Sequence, residues 1–487
     1  MYAQRKNIQT NNRSAKLNTD QISINRAKLL WIMLGIGVIL YSVFILINSS
    51  SLTNQANPTD SSKIIYVSQR IFAGILFFFA SIVILKIPQN EKWLGWIIFT
   101  GLAARLILLP TSAVLEDDWY RYLWDGAVTA KGFNPYTYNP ADIMEKKSTV
   151  PDELIKLADE SDDIIKNINH PTMRTIYPPI AQIFFTASYI IAPWTLLGWK
   201  IILLIGDLIL LFFTIKILKN LKLPLTFSAI YWLNPIVLHE FFNAAHMDLF
   251  VLLFVMMSVY FLLKDRTIIS TVLLALAVGI KLWPLIIIPF ILRKVWKDKK
   301  QVVTHLLLFG FLVVVFFVPV LDAGWDENQG FVKYAANWIN NDAFYTLLKN
   351  GIDLFTTTFK IYYVCADCVG RWVTVGIILL VLLLLIRKPA KDNLDLVDKI
   401  LIIIAVLFLI SPTQFPWYYT WIVPFLVLRP RLSFLLYPML LPLYQLNYLS
   451  GYLVYVQHLP VIILFLYEIK KGSDFNFFKL PPIPKKI

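Results

Sequence analysis

Apolar residues fall in long unbroken runs along this chain, and the polar residues collect between them. Leu29 to Asn48, Gln301 to Leu321 and Trp372 to Ile386 contain no Asp, Glu, Lys or Arg. Each run is at or near the roughly 20 residues that an α-helix needs to cross hydrocarbon. Further apolar runs, most of them carrying isolated ionisable residues, lie near 70–87, 93–111, 196–217, 225–242, 247–263, 399–413, 416–428, 432–450 and 453–469. The pattern predicts an all-α polytopic membrane protein of about 13 transmembrane helices, with short re-entrant or hairpin helices and interfacial helices in its external loops.

The turns between these runs alternate in charge. The N-terminus (Arg5, Lys6, Arg13, Lys16, Arg26, Lys28), the turn around Lys86 and Lys92, and the stretches "IKILKNLKLP", "LKDR", "RKVWKDKK", "RKPAK" and "RPR" are basic, as cytoplasmic loops are. Both termini are therefore expected in the cytoplasm. The expected organisation is a basic tail over 1–28, three transmembrane helices over 29–111 and an extracytoplasmic loop over 112–176. A transmembrane bundle over 177–320, a second external loop over 321–370, C-terminal helices over 371–469 and a cytoplasmic tail over 470–487 complete it. Two apolar runs, 177–193 and 196–217, lie where an odd number of crossings is required. The first is short and bounded by prolines, so it is expected to enter only part-way. Residues 267–292 are expected to form a short hairpin that turns near Lys281 and Pro284.

Composition agrees with this picture: 57% hydrophobic residues, 15% aromatic and only 16% charged, with mean hydropathy +0.63. No mostly polar surface can be built from such a chain. Positive-inside loops facing anionic lipid account for the net charge of +14, so nucleic acid is excluded as a partner. The first apolar run is long enough to stay as an anchor, and no cleavable signal peptide is expected. Cys365 and Cys368 are the two cysteines. Four-thiolate zinc is thereby excluded, and a local disulfide or two free thiols stay open.

The remaining polar residues converge on one side. Asp117, Asp118, Arg121, Asp125, His246, Asp248, Lys281 and the stretch "SPTQFPWYY" all map to, or beside, the external ends of spans. Ionisable groups at membrane depth are costly and mark functional cavities. Asp117 and Asp118 have the chemistry of a general base, and Arg121 and Lys281 that of a phosphate clamp, a combination suited to group transfer from a phosphate leaving group. If Asp118 opens a helix, Tyr122 and Asp125 recur on its face, with Arg121 and Trp124 beside them. Structural readings stand next to these. The acids would cap the helix with Arg121 paired to one of them, Asp248 would cap the next span, His246 would bond a helix end, and Lys281 would snorkel. Trp119, Tyr120, Tyr122, Trp124, Phe133 and Tyr136 fit an interfacial belt at least as well as a sugar platform. Phe331 to Phe359 is expected to form interfacial helices over the cavity.

The order "DDWYRYLWDG…GFNPY", "YPPIAQ", "NPIVLHEFFNAAHMD", "GIKLWPLIIIP" and "SPTQFPWYYTW" resembles bacterial mannosyltransferase-like members of the GT-C superfamily of integral-membrane glycosyltransferases. The resemblance covers roughly Trp93 to Pro430, and the first and third motifs are its specific ones. It implies a polyprenyl-phosphate sugar as donor and an acid of the first large external loop as base. Carried onto this chain, Asp117 is that base and Asp118 its close alternative, with Arg121 and Tyr122 lining the same cavity. His246 and Asp248 match the second polar motif. Lys281 matches the basic residue that meets the donor phosphate, while Arg174 and Tyr177, beside "PP", clamp the phosphate or anchor the helix.

The expected reaction is a single inverting displacement that moves a hexose, mannose favoured, to a hydroxyl of a glycan, glycolipid or protein at the outer face of the bacterial cytoplasmic membrane. No nucleotide-sugar site is implied, and the sequence contains no Gly-rich phosphate loop of the Walker kind. Two adjacent carboxylates make an incomplete ligand set, so no metal site is assigned and dependence on Mg or Mn stays open. A lipid-linked-sugar transporter or flippase and a non-catalytic polysaccharide-assembly subunit are the alternatives from other classes. The former lacks the internal repeat that transporters commonly show.

Overall fold

The computed structural model describes residues 2–53, 59–86, 90–324, 329–361 and 363–471, with side chains described from Ala27 onward except at Thr53 and Lys86. The basic side chains before Ala27 and the tail after Lys471 lie outside the described residues. Three long helices come first: α1 (Tyr2–Thr53), α2 (Asp60–Lys86) and α3 (Lys92–Leu108). A polar segment then carries α4 (Asp118–Ala130), α5 (Pro140–Met144), α6 (Asp152–Glu160) and α7 (Asp163–Lys166). It is followed by α8 (Pro179–Ile191), α9 (Leu196–Asn220), α10 (Ala229–Trp232), α11 (Pro235–Phe242), α12 (Asp248–Leu263), α13 (Thr267–Val278), α14 (Ile288–Val295) and α15 (Lys299–Asp322). The last third contains α16 (Gly330–Asn337), α17 (Phe344–Thr358), α18 (Ala366–Arg387), α19 (Asn393–Ile410), α20 (Val423–Leu428), α21 (Leu432–Leu435), α22 (Tyr437–Leu440) and α23 (Leu453–Lys471). Among the described residues there is no strand, and one isolated bridge pairs Asn340 with Thr413. The chain is an all-α polytopic membrane protein.

Among the described residues, six helices are long and apolar enough to cross a membrane: α1 over Ala27–Leu52, α2, α9, α15, α18 and α23. Only 11% of the apolar window of α15 and 17% of that of α18 are buried. Their outward Leu, Val and Phe side chains would be an intolerable patch in water and are at home in lipid. The other apolar runs are broken into short pieces, and proline explains where. Pro235 opens α11, with Asn234 Oδ1 accepting from Ile236 N at 2.9 Å. Pro416, Pro424, Pro438 and Pro442 divide the run after α19 into short α and 3-10 turns. Such backbone is tolerated at membrane depth only when protein surrounds it. Accordingly, every residue from Leu225 to Leu253 and from Thr413 to Leu428 is buried. Broken helices make the centre and intact helices the rim. At 13 residues, or about 20 Å, α8 is shorter than the hydrocarbon is thick.

Buried ion pairs tie the rim to the centre. Arg105 of α3 donates through Nε to Asp207 of α9 at 2.5 Å and through Nη1 to the carbonyls of Gly101 and Trp232, and it stacks 3.4 Å above the Trp232 ring. The Tyr231 hydroxyl donates to the other Asp207 oxygen. Neither member of the pair is exposed, so removing one strands a charge, at a cost of about 3–5 kcal/mol. Asp207→Leu is therefore expected to lower the melting temperature of the detergent-purified protein sharply. Arg105→Met combined with Asp207→Leu should recover part of the loss, and an unchanged melting temperature in the single variant would refute the pair. Lys200 of α9 donates to the Leu108 and Thr111 carbonyls and to Thr111 Oγ1 at 2.6–3.2 Å, fastening the point at which the chain leaves α3 for the polar segment. Farther along, α4 lies against α8 so closely that a Cβ on Gly126 would come within 2.3 Å of the Phe185 carbonyl oxygen.

Candidate active site

A cavity of about 590 Å³ opens where the segment before α4, the segment before α8, the α13–α14 turn, α16 and the turn after α19 meet. Its walls include Glu116, Asp117, Asp118, Arg121, Tyr122, Arg174, Tyr177, Asp248 and Lys281. Asp125 and His246 stand directly behind that wall. Of the residues singled out in the sequence, Asp117, Asp118, Arg121, Tyr122, Arg174, Tyr177, Asp248 and Lys281 thus line one space.

Asp117 precedes α4 and Asp118 begins it, yet the Asp117 side chain makes no capping bond. One amide holds the pair instead: Asn169 Nδ2 donates to Asp117 Oδ1 at 2.8 Å and to Asp118 Oδ1 at 2.9 Å. Arg121 pairs with neither acid. Its Nε meets Asp125 Oδ1 at 2.9 Å and its Nη1 donates to the Met173 carbonyl at 3.1 Å. Asp125, fully buried, also faces the Gln182 amide. The structure therefore commits Arg121 to Asp125 as the wall that holds the 169–174 segment in place. Burial first, and then the neighbouring Asp118 carboxylate, raise the Asp117 pKa above its ordinary value. Glu116 is pushed up further, by burial and by Glu240, Asp118 and Asp117 around it.

Across the cavity, Asp248 opens α12 but caps nothing. Its Oδ1 accepts from Lys281 Nζ at 2.8 Å and from Trp421 Nε1 at 2.6 Å. The Lys281 ammonium also lies 4.2 Å from the Tyr418 ring centroid and 5.2 Å from that of Trp421. An ammonium has three N–H donors, and Asp248 takes one. Tyr122, buried, packs on Tyr177 and Phe185 at ring-centroid distances of 5.0 and 4.8 Å. Tyr136 donates to the Tyr177 carbonyl at 2.6 Å, so these tyrosines shape the wall. The His246 ring stacks on Trp417 at 3.8 Å.

The segment expected to form helices over the cavity, Phe331 to Phe359, contains α17 and all but the first residue of α16. Phe331, Tyr334, Ala335 and Trp338 roof the cavity. Tyr334 and Tyr418 share a hydroxyl contact at 2.6 Å, and Arg371 binds Asp367 at 2.9 Å and the Ala335 carbonyl at 2.8 Å. Asp367 lies between Cys365 and Cys368, which form a disulfide.

Several residues here were not singled out in the sequence. Asn169 and His170 sit in an irregular polar loop that carries no periodic signal; the partners of Asn169 lie about fifty residues earlier, and His170 packs against the Trp338 ring. Glu116 is next to the acid pair but was not distinguished from it. Glu240 and Arg70, paired at 3.1 Å, are ionisable residues within or at the edge of apolar runs, which is itself a signal of a buried partner.

An acid-lined cavity inside a polytopic helical membrane protein defines the class, and comparison defines the family. Residues 32–297, more than half of the chain, match the family model MptA_B, described as alpha-(1->6)-mannopyranosyltransferase, N-terminal domain. The chain belongs to this family of mannosyltransferases. No curated protein and no solved structure matches it.

Proposed function

We propose that the protein is a GT-C-type glycosyltransferase that moves mannose from a polyprenyl-phosphate donor to an acceptor hydroxyl at the extracytoplasmic face of the membrane, with inversion. The observation that carries this reading is a single cavity with an amide-clamped pair of carboxylates, Asp117 and Asp118, on one wall and the Lys281 ammonium on another. A volume of about 590 Å³ suits a sugar phosphate with part of its lipid and an acceptor sugar.

In this reading the donor phosphate meets Lys281, with Arg174 beside it, and the acceptor hydroxyl meets Asp117. As the acceptor oxygen bonds to the anomeric carbon, the bond from that carbon to the phosphate oxygen breaks. The hydroxyl proton passes to the Asp117 carboxylate, and the polyprenyl phosphate leaves with the electron pair. Lys281 stabilises charge that grows on the leaving phosphate, an interaction stronger in the transition state than in the ground state. Asn169 keeps the base aimed, which is the positioning part of the catalysis. The family description names an α-(1→6) product. A single displacement inverts the anomeric centre, so this linkage calls for a β-linked sugar phosphate and a primary 6-hydroxyl on the acceptor.

The test is transfer by membranes carrying the wild type from a panel of radiolabelled polyprenyl-phosphate sugars: mannose, glucose, galactose and arabinose. Transfer from the mannosyl donor, absent in membranes lacking the protein, is the expected result. Folded protein that transfers nothing from any lipid-linked donor would return the chain to the transporter and assembly-subunit readings.

A further inference from the structure

Behind the acid pair, three side chains from distant parts of the chain bring ligand atoms to one point. Glu116 comes from the segment before α4, Glu240 from α11 and His246 from the corner between α11 and α12. One ligand atom from each lies within 4.8 Å of the other two. His246 Nε2 is 3.6 Å from Glu240 Oε2 and 3.7 Å from Glu116 Oε2, while its Nδ1 is 3.8 Å from Asp118 Oδ2. These separations lie within ion-pair range and outside hydrogen-bond range.

The imidazole is fully buried, and neither ring nitrogen makes a hydrogen bond. Glu240 Oε2 is likewise buried without a hydrogen bond, whereas Oε1 is taken by Arg70 at 3.1 Å and by His239 Nδ1 at 2.9 Å. A buried histidine that stands within 3.8 Å of three carboxylates and bonds to none is an exception that calls for a ligand, because unsatisfied buried polar atoms are rare and costly. A cation supplies what is missing. Donors bound at 2.0–2.2 Å to a tetrahedral ion stand about 3.4 Å apart, so the two histidine–carboxylate separations need close by only a few tenths of an ångström, and the two glutamates, within 4.8 Å of each other, would be drawn together by the ion. Two carboxylates against the Arg70 guanidinium also leave net negative charge.

We propose that Glu116, Glu240 and His246 bind one divalent transition-metal ion, Mn2+ or Zn2+, which fastens the acid-bearing segment to the α11–α12 corner. One imidazole nitrogen with two carboxylate oxygens suits these ions better than Mg2+ or Ca2+, which favour all-oxygen sets. The three ligands are positioning residues: Glu116 is the residue immediately before Asp117, so fixing it limits where Asp117 and Asp118 can point. The adjacent Asp117–Asp118 pair, an incomplete ligand set by itself, is bridged by the Asn169 amide.

The experiment uses the full chain purified in detergent, stripped with chelator and dialysed against Mn2+, Zn2+ or Mg2+. Metal content is read by mass spectrometry and coordination by the absorption of the Co2+-loaded protein. The wild type should retain about one equivalent of Mn2+ or Zn2+, and Glu116→Gln and His246→Gln should each lower retention about tenfold or more, as loss of a ligand does. Asp117→Asn should retain the ion. Folded wild type that retains neither ion, or retention lost in Asp117→Asn and kept in the two ligand variants, would overturn the assignment. Should His246→Gln fail to fold, the Co2+ spectrum decides: the intense bands of a four- or five-coordinate ion are expected, and the weak bands of a hydrated six-coordinate ion would overturn it. None of these readouts requires donor or turnover, so their failure is separable from failure of the transferase reading.

Discussion

Replacing Asp117 with asparagine is expected to lower sugar transfer by about 10²- to 10⁴-fold, the range seen when a positioned general base is lost. Donor binding and melting temperature should stay close to those of the wild type. The asparagine keeps its shape, and its side-chain oxygen can still accept from Asn169 Nδ2, as Asp117 Oδ1 does at 2.8 Å. What it loses is the ability to take a proton. Asp118→Asn should cost less. Asp118 sits in the first turn of α4 and faces His246, whereas Asp117 is the more exposed of the two towards the cavity. Single-turnover transfer from a radiolabelled donor by the two variants, side by side with their melting curves, checks this. A larger loss in Asp118→Asn would exchange the two roles, and near-normal transfer in both would remove the pair from the chemistry.

Lys281→Met is expected to raise KM for the lipid-linked donor and to lower kcat/KM by about 10- to 100-fold, the equivalent of one strong charge-assisted hydrogen bond. The single variant has a second effect. It leaves Asp248, which is buried, with the Trp421 indole alone, and an unpaired buried carboxylate destabilises the fold. Lys281→Met combined with Asp248→Asn separates the two effects. It should regain most of the melting temperature while transfer stays low, because the phosphate contact is still missing. If the double variant recovered transfer together with stability, Lys281 would be a structural partner of Asp248 and the phosphate would bind elsewhere. Comparing the two variants over a range of donor concentrations distinguishes these outcomes.

Much of this protein was legible as sequence. Runs such as Gln301–Leu321 can be stable only in hydrocarbon or wholly inside protein, so class and helical content follow from composition and run length. The acids after the third apolar run, the "HMD" corner and Lys281 were legible too, because ionisable residues beside apolar runs are costly enough to need a reason. Pairing was not legible. From sequence, Asp117 and Asp118 were as good a helix cap as a base, Arg121 was read as a partner for one of them or for a phosphate and not for Asp125, and Lys281 had no protein partner.

Tertiary structure decided those matters. It placed the Asn169 amide between two carboxylates 51 and 52 positions away, spent Arg121 on Asp125, and brought Lys281 to Asp248 and to the rings of Tyr418 and Trp421. It also gathered Glu116, Glu240 and His246, of which only the histidine stood out in the sequence. The physical reason is a difference in range. Transfer of an apolar run into lipid is a sum over neighbouring residues, so a window of sequence contains it. A hydrogen bond or an ion pair depends on a few ångströms between atoms that chain order leaves free, and only the packed helices set that distance.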